Sequence, residues 1–393
     1  MFSAQRNYLR VRHGHDHHRV TSVELFFDLV FVFAVTQLSH GLLHNLSALG
    51  AVQIAVLLLA MWWTWVDMAW ITNWLDPDKP VVRVLLFVLM LVGLVLSASI
   101  PRAFEDRAIA FAAAYIVMQS LRNMFMLWAL ARHDESNFYN FVRIGLWHLA
   151  DAPFWLIGAL AEGPYRLVLW GIAVALETTA PAAGFRIPGL GRSTTADWVV
   201  EGGHLAERCG LFVIIALGES ILITGANFAE LSWTAQAIAA FVAGFAGSVA
   251  MWAIYFNIGA ERSSEHIARS SDPGRLARSG YTYLHILIVA GIIVAAVGDE
   301  LVLHHPAGRV EPATALAVIG GPALYLAGNT LFKRLSAPNL PLSHLIGLGL
   351  LALTALVTQA VTPLTLSAMT TVILLIVAFW EWGSLGRRKT AEK

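Results

Sequence analysis

Apolar runs of about 20 residues recur along the whole of this 393-residue chain, and they restrict the fold more than any other feature. A helix of that length crosses the hydrocarbon core of a bilayer, and every backbone polar group in lipid must be hydrogen-bonded within the protein. The sequence therefore predicts an all-α integral membrane protein. Its twelve spanning helices are predicted near residues 23–44, 51–74, 81–99, 106–131, 140–161, 164–182, 204–227, 233–258, 280–301, 313–333, 341–361 and 363–383.

Composition fits a protein that resides in lipid and narrows the classes of function. Apolar residues make up 57% of the chain and charged residues 13%, against about 25% charged residues in soluble domains. The formal net charge is zero, which argues against a nucleic-acid partner. No Walker loop, nucleophile elbow or dinucleotide fingerprint occurs, so neither an enzyme nor a cofactor or metal is expected. The expected partners are the lipid bilayer and a proton, a small cation or a small solute. The sequence is also compatible with a homo-oligomer.

The distribution of positive charge predicts the orientation in the membrane. With the N-terminus in the cytoplasm, 19 of the 26 lysines and arginines fall in cytoplasmic segments and four in outside loops. This excess is the positive-inside signal. An even number of spans then places both termini in the cytoplasm.

Weak similarities in a consistent order predict an internal duplication into two six-helix parallel repeats. The matched positions are Glu24 with Glu207, Asp67 with Asn257, Gly93 with Gly291, Tyr115 and Gln119 with Tyr325 and Asn329, and Glu177 with Glu381. Repeats of this kind are related by an axis along the membrane normal, with any site at their interface. The predicted segments are a His- and Arg-rich cytoplasmic tail (1–22), repeat 1 (23–182), a linker (183–203), repeat 2 (204–383) and a basic cytoplasmic tail (384–393).

The first span begins with two carboxylates, Glu24 and Asp28, one helical turn apart on one face. Thr21-x-x-Glu24 before an apolar run is also typical of a capping box. Capping does not explain Asp28, which lies one turn deeper, where a charged group costs about 2.5–3.5 kcal/mol even on the lenient insertion scale. Asp28 is therefore expected to be functional or to form a structural ion pair.

The seventh span also begins with ionisable residues, namely His204, Glu207 and Arg208. Glu219 follows Glu207 by twelve residues and lies about 18 Å deeper along the helix. Arg208 is expected to pair with an acid on another helix. Glu219 has no base close in sequence, so near the midplane it is expected to be protonated or to line a polar cavity.

Acids outnumber bases within the predicted spans, which favours protons or cations over anions along any path. The candidate ion-path residues are Glu24, Asp28, Asp67, Asp151, Glu177, His204, Glu207, Arg208, Glu219 and Ser220. The candidate structural ion-pair residues are Arg122, Arg143 and Arg208.

Two H-L-A-acid quartets keep a metal-dependent hypothesis open. His148 with Asp151, and His204 with Glu207, are each three residues apart and share a helix face. Such pairs can bind zinc or iron, although a neutral hydrogen-bonded pair is the more common arrangement.

Two stretches resemble the signatures of the bacterial low temperature requirement A proteins, E-L-F-F-D-L-V-F-V-F-A-V-T-Q-L-S-H (24–40) and H-L-A-E-R-C-G-L-F-V-I-I-A-L-G-E-S (204–220). The resemblance implies a multi-pass protein of the bacterial cytoplasmic (inner) membrane, in a family named for growth in the cold. The motif residues that it carries over are Glu24, Phe27, Asp28, Gln37, His40, His204, Glu207, Arg208, Gly218, Glu219 and Ser220. The stretch 26–36 is faintly similar to the first-span signature of lysosomal-type potassium channels built from six-span repeats, with Phe27 in place of the motif serine.

The leading hypothesis is a transporter or channel for protons, small cations or a small solute, with a path between the halves. Glu219 is the expected midplane titrating residue. The expected cytoplasmic gate consists of Glu24, Asp28, His204, Glu207 and Arg208. The alternatives are a non-transporting sensor or stress-adaptation protein, and an intramembrane metal enzyme that uses His148, Asp151, His204 and Glu207.

Overall fold

The computed structural model describes residues 8–10, 19–131, 133–195, 201–257, 270, 272–336 and 339–391, which form helices, turns and two isolated β-bridges. The helices are α1 (Ser22–His44), α2 (Ala48–Thr72), α3 (Pro80–Ser99), α4 (Ala108–Leu130), α5 (Glu135–Leu160), α6 (Pro164–Thr179), α7 (Gly202–Glu230), α8 (Ala235–Phe256), α9 (His285–His304), α10 (Pro312–Ser336), α11 (Leu342–Thr354) and α12 (Pro363–Ala391). Parts of the predicted tails (1–7, 11–18 and 392–393) and of the predicted linker (196–200) lie outside the described residues.

Nine helices of the described chain are long and apolar enough to cross a membrane: α1 to α4, α7 to α10, and α12. For α9 this count includes the helical turns that precede it from Pro273. The prediction of an all-helical membrane protein is confirmed, whereas twelve spans stay a prediction. The 16 residues of α6 extend about 24 Å, less than the hydrocarbon thickness of about 30 Å. The 13 residues of α11 are shorter still, and α5 carries charged residues along its length.

Several helices begin where the sequence supplies a capping side chain. Ser47 accepts a hydrogen bond from the backbone of α2, Asp134 from α5 and Thr234 from α8. Proline occupies the first position of α3 and α6, where its missing N–H leaves no hydrogen bond unmade. Local chemistry therefore sets where these helices start.

The chain divides into two compact units. The first comprises Met1–Leu205 with Asp272–Arg275. Within it α3 packs against α1 and α4, α5 packs against α4 and α6, and α2 contacts α1, α4 and α6. The buried rings of Tyr115, Trp155 and Trp170 join α4, α5 and α6, with centroids 4.5 and 5.4 Å apart. This aromatic packing fixes the three helices that carry most of the site described below.

The second unit comprises Ala206–Ser271 and Leu276–Lys393. Its α12 packs against α8, α10 and α11, and α9 packs along α10. Glycines on both α9 and α10 allow the two backbones to touch. A Cβ atom on Gly291 would lie 2.4 Å from the backbone nitrogen of Tyr325, and one on Gly321 would lie 2.4 Å from that of Ala295. Only glycine fits at either position.

Candidate functional site

Five ionisable side chains from four helices meet inside the first unit. Asp67 comes from α2, Arg122 from α4, His148 and Asp151 from α5, and Glu177 from α6. We call these residues the first-unit cluster. Arg122 is 3% exposed, Asp151 3% and Glu177 4%. Arg122 Nη1 lies 2.6 Å from Asp67 Oδ2, and Arg122 Nη2 donates to His148 Nε2 at 3.0 Å.

Helical spacing on α4 brings three polar side chains to this cluster. Tyr115, Gln119 and Arg122 are separated by four and three residues, so they share one face of the helix. Gln119 Nε2 donates a hydrogen bond to Glu177 Oε1 and a weaker one to the Tyr115 hydroxyl. The α4 face therefore holds Asp67 through Arg122 and Glu177 through Gln119.

The contact with Arg122 determines which nitrogen of His148 carries the hydrogen. A guanidinium only donates hydrogen bonds, so His148 Nε2 must accept. A neutral imidazole that accepts at Nε2 has its hydrogen on Nδ1. His148 Nδ1 lies 3.6 Å from Asp151 Oδ2 and 3.7 Å from Glu177 Oε1. His148 is therefore neutral, with its N–H next to two carboxyl groups.

Three buried polar atoms around this N–H have no hydrogen-bond partner among the described residues. They are Nδ1 of His148, Oδ2 of Asp151 and Oε1 of Gln119. A buried polar group without a partner costs about 1–3 kcal/mol. The first-unit cluster is therefore not optimised for stability alone.

Asp67, His148 and Glu177 also have the spacing of metal ligands, with one atom from each within 4.8 Å of the others. The surroundings do not fit a divalent metal. Coordination through His148 Nδ1 requires a lone pair on that nitrogen, which the hydrogen bond from Arg122 to Nε2 excludes. The guanidinium that pairs with Asp67 would also repel a dication. The side chains of the first-unit cluster are better suited to bind a proton than a divalent metal ion.

A second buried cluster lies in the second unit. Lys333 Nζ on α10 is 2.8 Å from both carboxylate oxygens of Glu381 on α12, and it donates to the carbonyl of Ile254 at 2.8 Å. His344 Nε2 on α11 donates to Glu381 Oε1 at 2.8 Å, and its Nδ1 lies 3.0 Å from Thr330 Oγ1. We call Lys333, His344 and Glu381 the second-unit cluster. Each of their ionisable groups has a hydrogen-bond partner, and one base balances one acid.

Glu24 lies in a third buried cluster at the start of α1. The capping box is confirmed: Glu24 Oε2 accepts from the backbone nitrogen and the hydroxyl of Thr21, each at 2.9 Å. Arg10 Nη2 lies 3.3 Å from both Glu24 oxygens, and His204 Nε2 donates to Oε1 at 2.9 Å. We call Arg10, Glu24 and His204 the capping cluster. It joins the N-terminal segment, α1 and the first turn of α7 within the first unit.

Comparison with known proteins identifies the family. The family model described as bacterial low temperature requirement A protein matches residues 19–379. The chain belongs to this family. It is also 40% identical over 370 residues, 94% of this chain and 90% of the relative, to an uncharacterized protein from Rhizobium meliloti (strain 1021). No solved structure matches the chain.

In this low temperature requirement A protein, the first-span motif is buried. Phe27 and Asp28 are both fully buried on α1. Asp28 Oδ1 accepts a hydrogen bond from Trp65 Nε1 of α2 at 2.8 Å. The sequence analysis did not anticipate this indole donor, which gives the Asp28 carboxylate one neutral hydrogen-bond partner on α2.

The second motif lies on α7, and its residues differ in exposure. In the second unit, Glu207 is exposed and Glu219 is half-buried. Arg208 is fully buried, and Ser220 is 2% exposed. Within the first unit, the two histidines of the proposed metal enzyme belong to different clusters, because His204 contacts Glu24 while His148 contacts Asp151.

Arg143 does not follow the pairing expected for it. It donates to the carbonyl of Leu190 at 2.9 Å and to Asn140 Oδ1 at 2.6 Å, and no carboxylate of the described residues contacts it. Arg143 therefore attaches α5 to the segment that follows α6.

Sequence reasoning missed the bases and histidines that complete these clusters. Arg10 and Lys333 were counted only among the cytoplasmic positive charges, and His344 was not singled out. The Tyr115/Gln119 and Tyr325/Asn329 matches could have drawn attention to Lys333, because a base follows within about one helical turn in each half. Arg122 follows Gln119 by three residues and Lys333 follows Asn329 by four, so the two bases are not aligned residue for residue.

Proposed function

We propose that this protein transports protons across the membrane and that the first-unit cluster is its proton-binding site. The observation that supports the proposal is a mismatch of charge. Two buried carboxyl groups, from Asp151 and Glu177, and the half-buried carboxylate of Asp67 surround one guanidinium and one neutral imidazole. A bound small cation would also balance this excess of negative charge, and the flux assay below distinguishes proton transport from cation transport.

The charge balance explains why a proton is needed. Arg122 neutralises Asp67 through the 2.6 Å contact, which leaves Asp151 and Glu177. Like charges repel more strongly in the protein interior than in water. Neighbouring acids in such a place titrate as a unit, and one of them holds a proton. The Nδ1–H of His148 can stabilise whichever carboxylate is ionised, so a proton can be exchanged at low cost.

The proposed duplication supports this assignment through a difference between the halves. The matched positions are Tyr115 and Tyr325, Gln119 and Asn329, and Glu177 and Glu381. Arg122 and Lys333 lie on the fourth helix of their halves and His148 and His344 on the fifth, without being aligned residue for residue. The additional acid Asp67 aligns with Asn257 in the second half. We infer that the two clusters derive from one ancestral arrangement and that only the first retained surplus carboxyl groups. The first-unit cluster is then the working site.

A flux assay tests the proposal directly. Purified protein is reconstituted into proteoliposomes that contain a pH-sensitive dye and, separately, a potassium-sensitive dye. Wild type is expected to dissipate an imposed pH gradient, and Glu177→Gln and Asp151→Asn are expected to slow that flux at least tenfold. The matched control is Glu162→Gln, which neutralises an exposed acid between α5 and α6. Proton flux equal to that of empty liposomes, from folded wild-type protein, would refute the proposal.

The second-unit cluster favours the non-transporting alternative, because its ion pair is balanced and holds three helices together. If both clusters serve only this purpose, neutralising Glu177 would change stability and leave every flux unchanged. The same panel of variants therefore separates a transporter from a sensor or stress-adaptation protein. Glu219 on α7 remains a second proposed residue of the ion path.

A further inference from the structure

A small cavity lies inside the second unit between α8, α9, α10 and α12. Its volume is about 20 Å³, enough for one particle the size of a water molecule. Its polar side chains are one carboxylate, Asp299, and the hydroxyl groups of Ser367, Thr370 and Thr371. None of the three residues of the second-unit cluster lines it. The cavity is therefore a separate feature, lined by oxygen atoms and one negative charge.

The carboxylate of Asp299 has no protein partner to neutralise it. Among the described residues, none forms a hydrogen bond or an ion pair with it, although Asp299 lies in the last two turns of the apolar helix α9. Helix α8 packs directly against the group: a Cβ atom on Gly244 would lie 3.1 Å from Asp299 Cγ and 3.3 Å from both oxygens. The glycine leaves the carboxylate facing the cavity without blocking it.

The hydroxyl groups are arranged as acceptors. Thr370 Oγ1 donates its hydrogen to the carbonyl of Ser367 at 3.0 Å, and Thr371 Oγ1 donates to that of Ala243 at 3.2 Å. A hydroxyl whose hydrogen is used elsewhere offers only its lone pairs to the cavity. Ser367, Thr370 and Thr371 are all more than nine-tenths buried. The hydroxyl oxygens of Thr370 and Thr371 are therefore held in place by these hydrogen bonds and keep their lone pairs for a ligand.

A proline supplies a further oxygen. Pro322 lies inside α10, and its missing N–H leaves the carbonyl four residues earlier, that of Val318, without its helical hydrogen bond. Both Pro322 and Val318 line the cavity. The site proposed below takes the Val318 carbonyl as a further oxygen ligand.

We propose that this cavity binds a single monovalent alkali cation, Na⁺ or K⁺. Carboxylate, hydroxyl and carbonyl oxygens are the ligands that hard cations prefer. One carboxylate neutralises one positive charge, whereas Ca²⁺ and Mg²⁺ sites generally use several acids or retained waters. Neither histidine nor cysteine occurs among the described lining residues, and the thioether of Met251 is the sulfur atom present, so the donor set does not suit zinc or iron.

This inference is independent of proton transport by the first-unit cluster, because binding is measured at equilibrium without a membrane gradient. The purified full-length protein in detergent is titrated with NaCl and with KCl, and choline chloride keeps the ionic strength constant. The 14 tryptophans report the unfolding temperature, and ²²Na⁺ binding gives the stoichiometry. We expect a saturable rise in unfolding temperature with at least one of the two salts, and no more than one ion per chain.

Two variants of lining residues and two control variants test the assignment. Asp299→Asn is expected to abolish saturable binding, and Ser367→Ala, which removes a single hydroxyl, is expected to weaken it about tenfold. Glu300→Gln is the matched control, because the neighbouring acid on α9 does not line the cavity. Glu177→Gln should bind the cation as wild type does, which separates failure of this site from failure of the proton site.

Two outcomes would overturn the proposal. One is folded wild-type protein that shows no saturable response to either salt. The other is binding that survives in both Asp299→Asn and Ser367→Ala. If Asp299 changes only the response to pH, and neither cation has an effect, the group carries a proton and the cation site does not exist.

Discussion

The same substitution at matched positions of the two clusters should have different effects on stability. Glu381→Gln removes the counter-ion of Lys333, whose Nζ lies 2.8 Å from both oxygens and is buried on α10. Removing one partner of a buried ion pair costs about 3–5 kcal/mol. The amide oxygen of the new glutamine still accepts a hydrogen bond, so we expect a loss near the lower end, about 3 kcal/mol.

Glu177→Gln changes the same atoms in the first-unit cluster, where the charge balance is reversed. It removes one of three carboxyl groups that compete for a single guanidinium, and its amide oxygen can still accept from Gln119. The repulsion that is relieved offsets the weaker hydrogen bond, so the free energy of unfolding should change by less than about 1 kcal/mol. The expected difference between the two variants is therefore at least about 2 kcal/mol.

Thermal unfolding of both variants in one detergent, followed by tryptophan fluorescence, measures this difference. A loss of 3 kcal/mol corresponds to a fall of about 6 °C or more for a unit of roughly 200 residues. The double variant Lys333→Met/Glu381→Leu, which leaves no buried charge on either residue, should recover much of that fall. Equal losses in Glu177→Gln and Glu381→Gln would show that the two clusters have the same charge balance, and the reasoning would fail.

Three further substitutions test other contacts. Gly291→Ala should prevent α9 from packing on α10 and yield aggregated protein in gel filtration, whereas Gly320→Ala, with no atom within 4 Å of the new Cβ position, should elute normally. Trp65→Phe removes the indole donor to Asp28 and should cost about 1.5–3 kcal/mol by thermal unfolding; an unchanged unfolding temperature would contradict that. Glu219→Gln should slow proton flux in proteoliposomes without loss of folded protein, and wild-type flux would remove this residue from the path.

The sequence was informative where the signal is local. Hydrophobic runs located every long helix, and Thr21-x-x-Glu24 predicted a capping box that the structure confirms. Both signals depend on residues within one helix, where spacing fixes geometry.

The arrangement of the clusters could not be predicted in the same way. Contacts such as Arg122 with His148, and His344 with Glu381, join residues 26 and 37 positions apart on different helices. Which bases meet which acids depends on helix packing, and apolar sequences constrain packing only weakly. Asp299 was overlooked for a related reason, because its importance depends on hydroxyl groups that come from another helix.

The contact between α9 and α10 has a mechanical consequence. Because each backbone rests on glycines of the other, these helices cannot slide or separate without opening a gap, and they move as one rod. Asp299 and Pro322 lie on opposite members of this rod, so their spacing is fixed. The remaining walls of the cavity are α8 and α12, so we expect a change in its width to require a shift of one of these two helices.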